Sequence, residues 1–413
     1  MEPLSFFSYL DRSLTPYHAA AESRLILAEA GFAPLSADTS RWQLEVGGRY
    51  VVATDDGTTL AFALPRALPA RLRIIGCHND SPALRLKPNP VIEREGLALL
   101  NLEVYGGPLL GTWFDRPLAI AGRVFAAGRD WAHPEDILVT LPQTVTIPSL
   151  AIHMKREPGD INPQKELLPI WDHADGADFA TAVAEAAGVA GTDVLASELY
   201  LASREPAQTL GAGDLYASSR IDNLANAYAA TCALAAGAAD DVLAIAVSYQ
   251  NEEIGSHSRG GAASLRLAQV IGAIAEQLGT SAAALCADAL ILSCDQAHAA
   301  HPNYPEKADP VLRPRLGAGP VLKLAANHSY ATTARGEAIF RALCTAHNLP
   351  YQVFANRADM RGGSTIGPIA EVATGIEAID VGNAMLAMHS IRELASLDDQ
   401  AAMQRLMQAF LQS

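Results

Sequence analysis

Two adjacent glutamates, Glu252 and Glu253, have the clearest chemical potential in the sequence, because they follow an apolar run at 242–249. Paired carboxylates in such a position are either solvated at a turn or held by a positive charge. His78, in a His-Asn-Asp triplet, and Asp222 are weaker signals when each is taken alone. A histidine near a strand end is more often a core or surface residue than a ligand, and an aspartate before a helix is a favoured N-cap. Single positions therefore leave solvated, structural and metal-binding interpretations open.

Taken together, the metal-type residues of the chain fit one kind of site. A co-catalytic pair of zinc ions needs neutral imidazoles, a carboxylate that bridges metals about 3.5 to 4 Å apart, and a free carboxylate that takes a proton from water. The chain offers candidate ligands at His78, Asp222, Glu253, Asp295 and His389. Glu252 is then left as the general base. No HExxH, GxSxG-plus-triad or GxxxxGK[ST] motif competes for the role.

Strands must bring these residues together. Short apolar runs alternate with longer Ala- and Leu-rich helical stretches, which is typical of a βαβ architecture with a mainly parallel sheet. Four of the runs lead to His78, Glu252, Asp295 and His389 respectively. The runs are 71–77, 242–249, 289–294 and 378–381. Because ligand crevices lie beyond the carboxyl ends of parallel strands, we expect these residues to converge at one sheet edge.

The pattern of elements predicts an α/β fold with two domains. The opening segment, roughly 2–30, reads as one helix that ends at Gly31. Residues 90–206 differ in texture, with Gly/Pro turns and alternating Val/Ile that indicate a β-rich insertion. We therefore predict a three-layer α/β/α domain with a mainly parallel sheet from 1–89 and 207–413. The inserted β-rich domain interrupts it.

Composition excludes several classes of partner. Of 413 residues, 30 are Lys or Arg and 45 are Asp or Glu, and the net charge of −15 argues against binding to nucleic acid or to an anionic membrane. Five scattered cysteines without a CxxC pair fit reduced thiols. The N-terminal sequence has no basic and apolar leader pattern, so we expect a cytoplasmic protein.

Several sequence blocks follow one another in a specific order from end to end of the chain. They are 76–82, 85–88, 222–223, 251–256, 301–307, 363–369 and 388–393. This series resembles the aspartyl aminopeptidase family of zinc metallopeptidases. The resemblance implies hydrolysis of the N-terminal peptide bond of short peptides, with a preference for N-terminal Asp or Glu.

The resemblance also implies how two zinc ions per subunit are held. One ion is expected on His78 and Asp295 and the other on Glu253 and His389, with Asp222 bridging them. Co²⁺ and Mn²⁺ are the expected substitutes for zinc.

Two further residues are expected to act in hydrolysis. Asp80 would orient the imidazole of His78, which fixes its tautomer and raises its basicity. Glu252 would act as general base and then as the acid that protonates the departing amine, while the zinc ions polarise the scissile carbonyl and hold a bridging hydroxide. This is metal-assisted hydrolysis without a covalent intermediate.

The resemblance assigns functions in the active site to two more residues, Lys323 and His153, and position in the sequence suggests two others. Lys323 matches a lysine that pairs with an acidic first side chain, although a strand lysine is more often a solvated charge. His153 matches a histidine that reaches the active site of a neighbouring subunit, whereas the plain interpretation is a hairpin histidine. His298 and His301 follow Asp295 closely and are expected to line the site, either as substrate contacts or as structural hydrogen-bonding groups.

The resemblance implies a homo-oligomer, a dodecamer built from dimers, in which the inserted domain serves dimerisation. It encloses the active sites so that only peptides and unfolded tails enter. Two alternatives remain open from the residues: a dizinc carboxypeptidase or deacylase of the same clan, and a non-catalytic assembly protein that retains the shell.

The sequence departs from the family pattern at several positions. Ala308 and Leu312 stand where histidines are usual, and His328 and Ser329 replace a more usual Gln-Arg pair. The pair Arg361-Gly362 stands where the family commonly has a cysteine just before Gly363. None of these is a predicted ligand or the base. They bear on specificity and assembly.

Overall fold

The computed structural model describes residues 5–67, 71–154 and 160–413. The α-helices in this part of the chain are α1 (Phe6–Arg12), α2 (Pro16–Glu29), α3 (Pro163–Glu166), α4 (Phe179–Ala187), α5 (Ile221–Ala236), α6 (Arg266–Gln277), α7 (Ala282–Cys286), α8 (Ala334–Ala346), α9 (Ile366–Thr374) and α10 (Leu397–Leu411).

The strands fall into two large sheets and two small ones. The first ten are β1 (Ala33–Leu35), β2 (Arg49–Val52), β3 (Thr59–Ala63), β4 (Arg71–His78), β5 (Ala83–Arg94), β6 (Leu97–Tyr105), β7 (Leu118–Asp130), β8 (His133–Val145), β9 (Ile170–His173) and β10 (Val194–Ser203). The others are β11 (Gln208–Leu210), β12 (Leu215–Ser218), β13 (Val242–Tyr249), β14 (Leu290–Cys294), β15 (Ala297–His298), β16 (Val321–Leu324), β17 (Gln352–Ala355), β18 (Ala378–Gly382), β19 (Ala384–Met385) and β20 (Glu393–Ser396).

A nine-stranded sheet forms the centre of the first part, in the order β1-β2-β3-β13-β4-β14-β18-β16-β17. Its middle strands β13, β4, β14 and β18 run parallel to one another. Antiparallel pairs join β2 to β3, β3 to β13 and β16 to β18. The predicted mainly parallel sheet is confirmed, and its four parallel middle strands come from the four apolar runs that precede the candidate ligands.

Helices cover both faces of this sheet. Side chains alternate along β4: Leu72 and Ile74 face a core with α6, α7 and α9, whereas Ile75 and Cys77 face a core with α2, α5, α8 and α10. Both faces are apolar because a parallel sheet buried on two sides must bury every side chain of its middle strands. The predicted three-layer architecture is confirmed.

The second large sheet is antiparallel and six-stranded, in the order β8-β7-β10-β5-β6-β9. Its strands lie between Ala83 and Ser203, and its own core includes Trp113 and Trp171. The sheet begins ahead of the boundary predicted at residue 90. The division into two domains remains a prediction.

The opening helix differs from its prediction. Two helices, α1 and α2, replace the single helix expected over 2–30, whose first three residues lie outside the described part of the chain. The break falls before Pro16, and Thr15 is extended at φ −139° and ψ 167°. Proline lacks an N–H and disfavours helical backbone at the preceding residue, so it starts a new helix here.

Within the described ranges, no helix is long and apolar enough to cross a membrane.

Candidate active site

The candidate ligands lie at the carboxyl edge of the central sheet, where one of them ends a strand and another directly follows the neighbouring strand. His78 is the last residue of β4 and pairs in register with Tyr249, the last residue of β13. Asp295 directly follows β14, on the other side of β4. Because these strands run parallel, their ends lie at the same level and place the side chains in one cluster.

His78 faces two carboxylates. Its Nε2 lies 3.3 Å from Asp295 Oδ1 and 3.5 Å from Asp222 Oδ1. Its Nδ1 lies 3.1 Å from the backbone carbonyl oxygen of Asp80, which accepts a hydrogen bond from that nitrogen. That bond leaves Nε2 directed at the carboxylates, the arrangement expected of a metal-binding imidazole.

His389 repeats this arrangement on the opposite side of Asp222. Its Nε2 lies 3.4 Å from Glu253 Oε2 and 3.6 Å from Asp222 Oδ2. Its Nδ1 donates to the backbone carbonyl of Gly107 at 3.1 Å. Each oxygen of Asp222 therefore faces a different imidazole.

Asp222 does not act as the helix N-cap that was the plain alternative. Arg220 holds the capping position of α5, and Asp222 itself has non-helical backbone angles within the first turn. Burial raises the pKa of Asp222, but the imidazoles of His389 and His78 that face its two oxygens outweigh burial and hold the pKa below its usual range.

The two adjacent glutamates differ in environment. Glu253 is 4% exposed, whereas Glu252 is 16% exposed and its Oε2 lies 4.0 Å from His78 Nε2. Burial raises the pKa of Glu252 to about 8. Burial and the charge of Asp222 raise the pKa of Glu253 well above its usual value. Glu252 is thus the more accessible carboxylate and the one farther from an imidazole.

Among the described residues, three trios have donor atoms within 4.8 Å of one another and could each hold a metal ion. They are His78 with Asp222 and Asp295, Asp222 with Glu253 and His389, and His78 with Glu252 and Glu253. The first two trios match the predicted zinc ligands and share Asp222. The third leaves the division of roles between the glutamates to experiment.

Asp80 has more partners than the sequence suggested. Its Oδ1 lies 3.5 Å from His78 Nδ1. Its carboxylate also accepts hydrogen bonds from the backbone N–H groups of Glu252 and Glu253, each at 3.1 Å, and from the Tyr105 hydroxyl at 2.8 Å. The backbone carbonyl of Asp80 therefore orients the imidazole, while its buried carboxylate holds the turn that carries the two glutamates.

Glu393 is a residue that sequence reasoning missed, although it lies in one of the motif blocks. It is 2% exposed. Its Oε2 accepts from the N–H of Asp222 at 3.1 Å and its Oε1 from the N–H of His389 at 2.8 Å. A single carboxylate thus ties together two chain segments that carry predicted ligands.

A pocket of about 400 Å³ opens over the cluster. Lys323, His298 and Tyr330 line it together with Asp222, Glu252 and other cluster residues. Lys323 is 2% exposed, so it is not the solvated strand lysine that was the plain alternative. Its Nζ lies 3.6 Å from Asp295 Oδ2 and 5.4 Å from the centre of the Tyr330 ring.

The charges in this pocket favour the cationic state of Lys323. Burial lowers the pKa of Lys323, but the charges of Asp295, Tyr330, Asp380 and Asp222 together outweigh it and the pKa is raised overall. Burial and the charge of Lys323 lower the pKa of His298. The pocket wall therefore combines a fixed ammonium with a neutral imidazole.

The remaining predicted contacts lie elsewhere. His301 lines a neighbouring pocket and not the one over the cluster, and two departures from the family pattern, Ala308 and Arg361, line that same neighbouring pocket. His153 is exposed and makes no hydrogen bond or ion pair with any residue that the structure describes. The chain alone does not bring His153 to the cluster.

The fold and the cluster together define a metal-dependent hydrolase. Residues 9–411 match the family model described as aminopeptidase I zinc metalloprotease (M18). A probable M18 family aminopeptidase 2 of Stutzerimonas stutzeri is 40% identical over 419 residues, which cover 98% of this chain and 96% of the relative. A probable M18 family aminopeptidase 2 of Clostridium novyi is 38% identical over 407 residues, covering 95% and 94%.

Solved structures agree with these matches. The S. cerevisiae mApe1 dodecamer has a TM-score of 0.85 to this chain at 26% identity, and the match covers 98% of this chain and 95% of that one. The chain belongs to the M18 family of aminopeptidases, which are zinc metalloproteases. The predicted family and enzyme class are confirmed, and the carboxypeptidase, deacylase and non-catalytic alternatives find no support among these relatives.

Proposed function

We propose that this aminopeptidase works with two zinc ions per chain and prefers short peptides that begin with Asp or Glu. One observation carries the proposal: two trios of imidazole and carboxylate donors share Asp222, with one of its oxygens directed to each trio. A bridging carboxylate between two metals is the arrangement that co-catalytic zinc sites require.

The donors present fit zinc. Five carboxylates, those of Asp80, Asp222, Glu252, Glu253 and Asp295, face two imidazoles and one lysine, which leaves an excess of negative charge in a largely buried place. Oδ1 of Asp222 and Oε1 of Glu253 are buried and have no hydrogen-bond partner. Buried carboxylates of this kind are stable when they are paired or coordinate a metal.

Each side chain then has a stated role. His78 and Asp295 would hold one zinc ion, Glu253 and His389 the other, and Asp222 both. Zinc, when bound, supplies Lewis acidity toward the scissile carbonyl and toward water.

Glu252 is the proton carrier in this proposal. Its carboxylate lines the pocket, is more exposed than that of Glu253 and lies farther from an imidazole, which suits a group that takes a proton from water and returns it to the departing amine. The Asp80 carboxylate keeps Glu252 in place, because its Oδ1 accepts a hydrogen bond from the backbone N–H of Glu252 at 3.1 Å.

Lys323 would provide the preference for acidic first residues. Its ammonium is buried in the wall of the pocket over the cluster, and of the carboxylates that the structure describes only that of Asp295 lies within ion-pair distance. A substrate carboxylate beside Lys323 would share this cation. A neutral side chain there would leave the interaction unused.

The assembly and location of the chain belong to the same proposal. The inserted domain at 90–206 would form dimers that build a dodecamer, and His153 would complete the active site of a partner subunit. The S. cerevisiae relative is described as a dodecamer, and three exposed apolar residues, Leu150, Ile152 and Met154, surround His153 in sequence. All five cysteines are free, which supports a cytoplasmic location.

The experiment is a panel of dipeptides and tripeptides assayed on protein whose zinc content is measured, comparing the wild type with Lys323→Met. We expect full activity at two zinc ions per chain. The substitution should lower kcat/KM for Asp- and Glu-initiated peptides about 10-fold or more beyond its effect on Leu-initiated ones, since an unpaired carboxylate in a partly desolvated pocket is costly. An equal decrease for all peptides would show that Lys323 only supports Asp295.

A further inference from the structure

A second pocket adjoins the one over the metal cluster. We call it the lateral pocket; its volume is about 210 Å³ and its lining includes His301, Lys307, Phe354, Arg357 and Arg361. His298 and Gly363 line both pockets, so the two share a wall. A peptide whose first residue occupies the cluster pocket has the lateral pocket within short reach.

The lateral pocket is cationic in a chain whose net charge is −15. Arg357 is committed to Asp359, with its Nε 2.8 Å and its Nη2 2.6 Å from the two carboxylate oxygens. The side chains of Lys307 and Arg361 form no hydrogen bond or ion pair with the residues that the structure describes, although the charge of Lys307 acts on the nearby Asp359 carboxylate. Two cationic side chains in this concave surface therefore have no direct ion-pair partner among the described residues.

The acidic residue that lines this pocket, Asp309, forms no ion pair with Lys307 or Arg361 among the described contacts. Asp309 directs Oδ1 to the backbone N–H groups of Val311 and Leu312, at 2.8 and 2.9 Å. Phe354, 8% exposed, gives the pocket an apolar lining residue beside the charges. A concave surface that combines apolar residues with a small number of well-placed polar groups is typical of a small-ligand site.

We infer that the lateral pocket binds a substrate carboxylate on the leaving-group side of the scissile bond, through Lys307 and Arg361. The inference rests on the proposed function. Lys323 lines the cluster pocket and not the lateral one, so the first side chain has its own cation. An extended peptide advances about 3.3 Å per residue, which places the C-terminal carboxylate of a dipeptide or tripeptide within a few ångströms to a nanometre of the bond that is cut.

Two carboxylates lie on that side of the bond, the C-terminal carboxylate of a short peptide and an acidic side chain of the second residue. Both present the same chemistry to Lys307 and Arg361. Recognition of the C-terminal carboxylate would favour peptides of two or three residues over longer chains.

The test uses full-length zinc-loaded enzyme and the double variant Lys307→Gln/Arg361→Gln. Substrates are Asp-Ala against Asp-Ala-amide for the C-terminal carboxylate, and Asp-Glu-amide against Asp-Gln-amide for the side chain. For the free acid, or for the Glu-containing amide, we expect KM to rise about 3- to 10-fold with kcat unchanged, the range for one or two partly exposed charge pairs. The uncharged partner substrate should not change.

Arg405→Gln is the matched control, because Arg405 is an exposed arginine on α10 outside the pocket. It should leave every KM unchanged. An equal effect of the double variant on charged and uncharged partners would overturn the inference, as would an effect that follows the first residue when Asp-Ala is compared with Leu-Ala. A change in oligomeric state by light scattering would also overturn it, because the surface would then be an interface between copies.

Failure of the proposed function has a different signature. In that case the wild type would lack the second zinc ion or the preference for Asp-initiated peptides. If the wild type has both of those properties but prefers neither Asp-Ala over Asp-Ala-amide nor Asp-Glu-amide over Asp-Gln-amide, the lateral pocket alone would be refuted.

Discussion

Replacing Glu393 by Gln removes a carboxylate that positions two predicted zinc ligands and leaves the ligand residues themselves unchanged. The carboxylate accepts from the N–H of Asp222 at 3.1 Å and from the N–H of His389 at 2.8 Å, one bond to each oxygen. Glutamine has one acceptor oxygen, and its NH₂ group would face the other N–H. One of the two backbone N–H groups would then be buried without a partner.

The size of the effect follows from that lost bond. A buried unsatisfied donor costs about 1 to 3 kcal/mol. If this free energy destabilises the zinc-bound arrangement, the affinity for zinc decreases about 5- to 150-fold. Loss of an outer partner of a metal ligand typically lowers metal affinity about 10- to 100-fold, which agrees.

The assay is zinc retained per chain against graded free zinc set by a chelator, with the unfolding midpoint of the metal-free protein measured beside it. Asp399→Asn is the matched control: Asp399 is also fully buried and accepts from two backbone N–H groups, those of Gly317 and Gly319, each at 2.7 Å. That control should lower stability and leave zinc affinity unchanged. Equal zinc affinity in Glu393→Gln and the wild type would refute the positioning argument.

Three further predictions concern single side chains. Glu252→Gln should keep both zinc ions and lose about 10²- to 10⁴-fold in kcat, because only the proton acceptor is removed. Glu253→Gln should instead lose one zinc ion. Loss of zinc in Glu252→Gln would show that the roles of the two glutamates are exchanged. His153→Phe should keep zinc and assembly but lose activity, and mixing it with Glu252→Gln under subunit exchange should restore activity; verified mixed oligomers that stay inactive would exclude action in trans. Burial lowers the pKa of His18 to about 4, with a smaller contribution from Arg220, so the folded state binds fewer protons than the unfolded state and stability is lost as pH falls through 6.5. Between pH 7 and pH 5 the wild type should lose about 2 kcal/mol of unfolding free energy that His18→Gln does not lose, measured by denaturant titration. The exposed His328, changed to Gln, is the control and should keep the wild-type pH dependence; equal pH profiles for His18→Gln and the wild type would contradict the prediction.

The sequence predicted the layout of the central sheet because its information there is local. Apolar runs end where His78 and Asp295 begin, and parallel strands place such ends at one edge. The break before Pro16 was also readable, since the residue before a proline disfavours helix. Reading 2–30 as one amphipathic segment overlooked it.

Other contacts had no local signal. Glu393 and Asp222 are 171 residues apart, and no spacing in the sequence indicates that a carboxylate of one accepts from the N–H of the other. Asp80 holds the turn at Glu252 in the same way, from 172 residues away. Such contacts depend on tertiary packing, which brings distant segments of the chain together.

The central claim is the pair of zinc ions bridged by Asp222, and anomalous diffraction at the zinc edge tests it most directly. Two peaks are expected in each chain at full occupancy, one beside His78 and Asp295 and the other beside Glu253 and His389, both within bonding distance of Asp222. A single fully occupied peak in catalytically active crystals, or a pair of peaks that Asp222 does not touch, would exclude a bridged zinc pair.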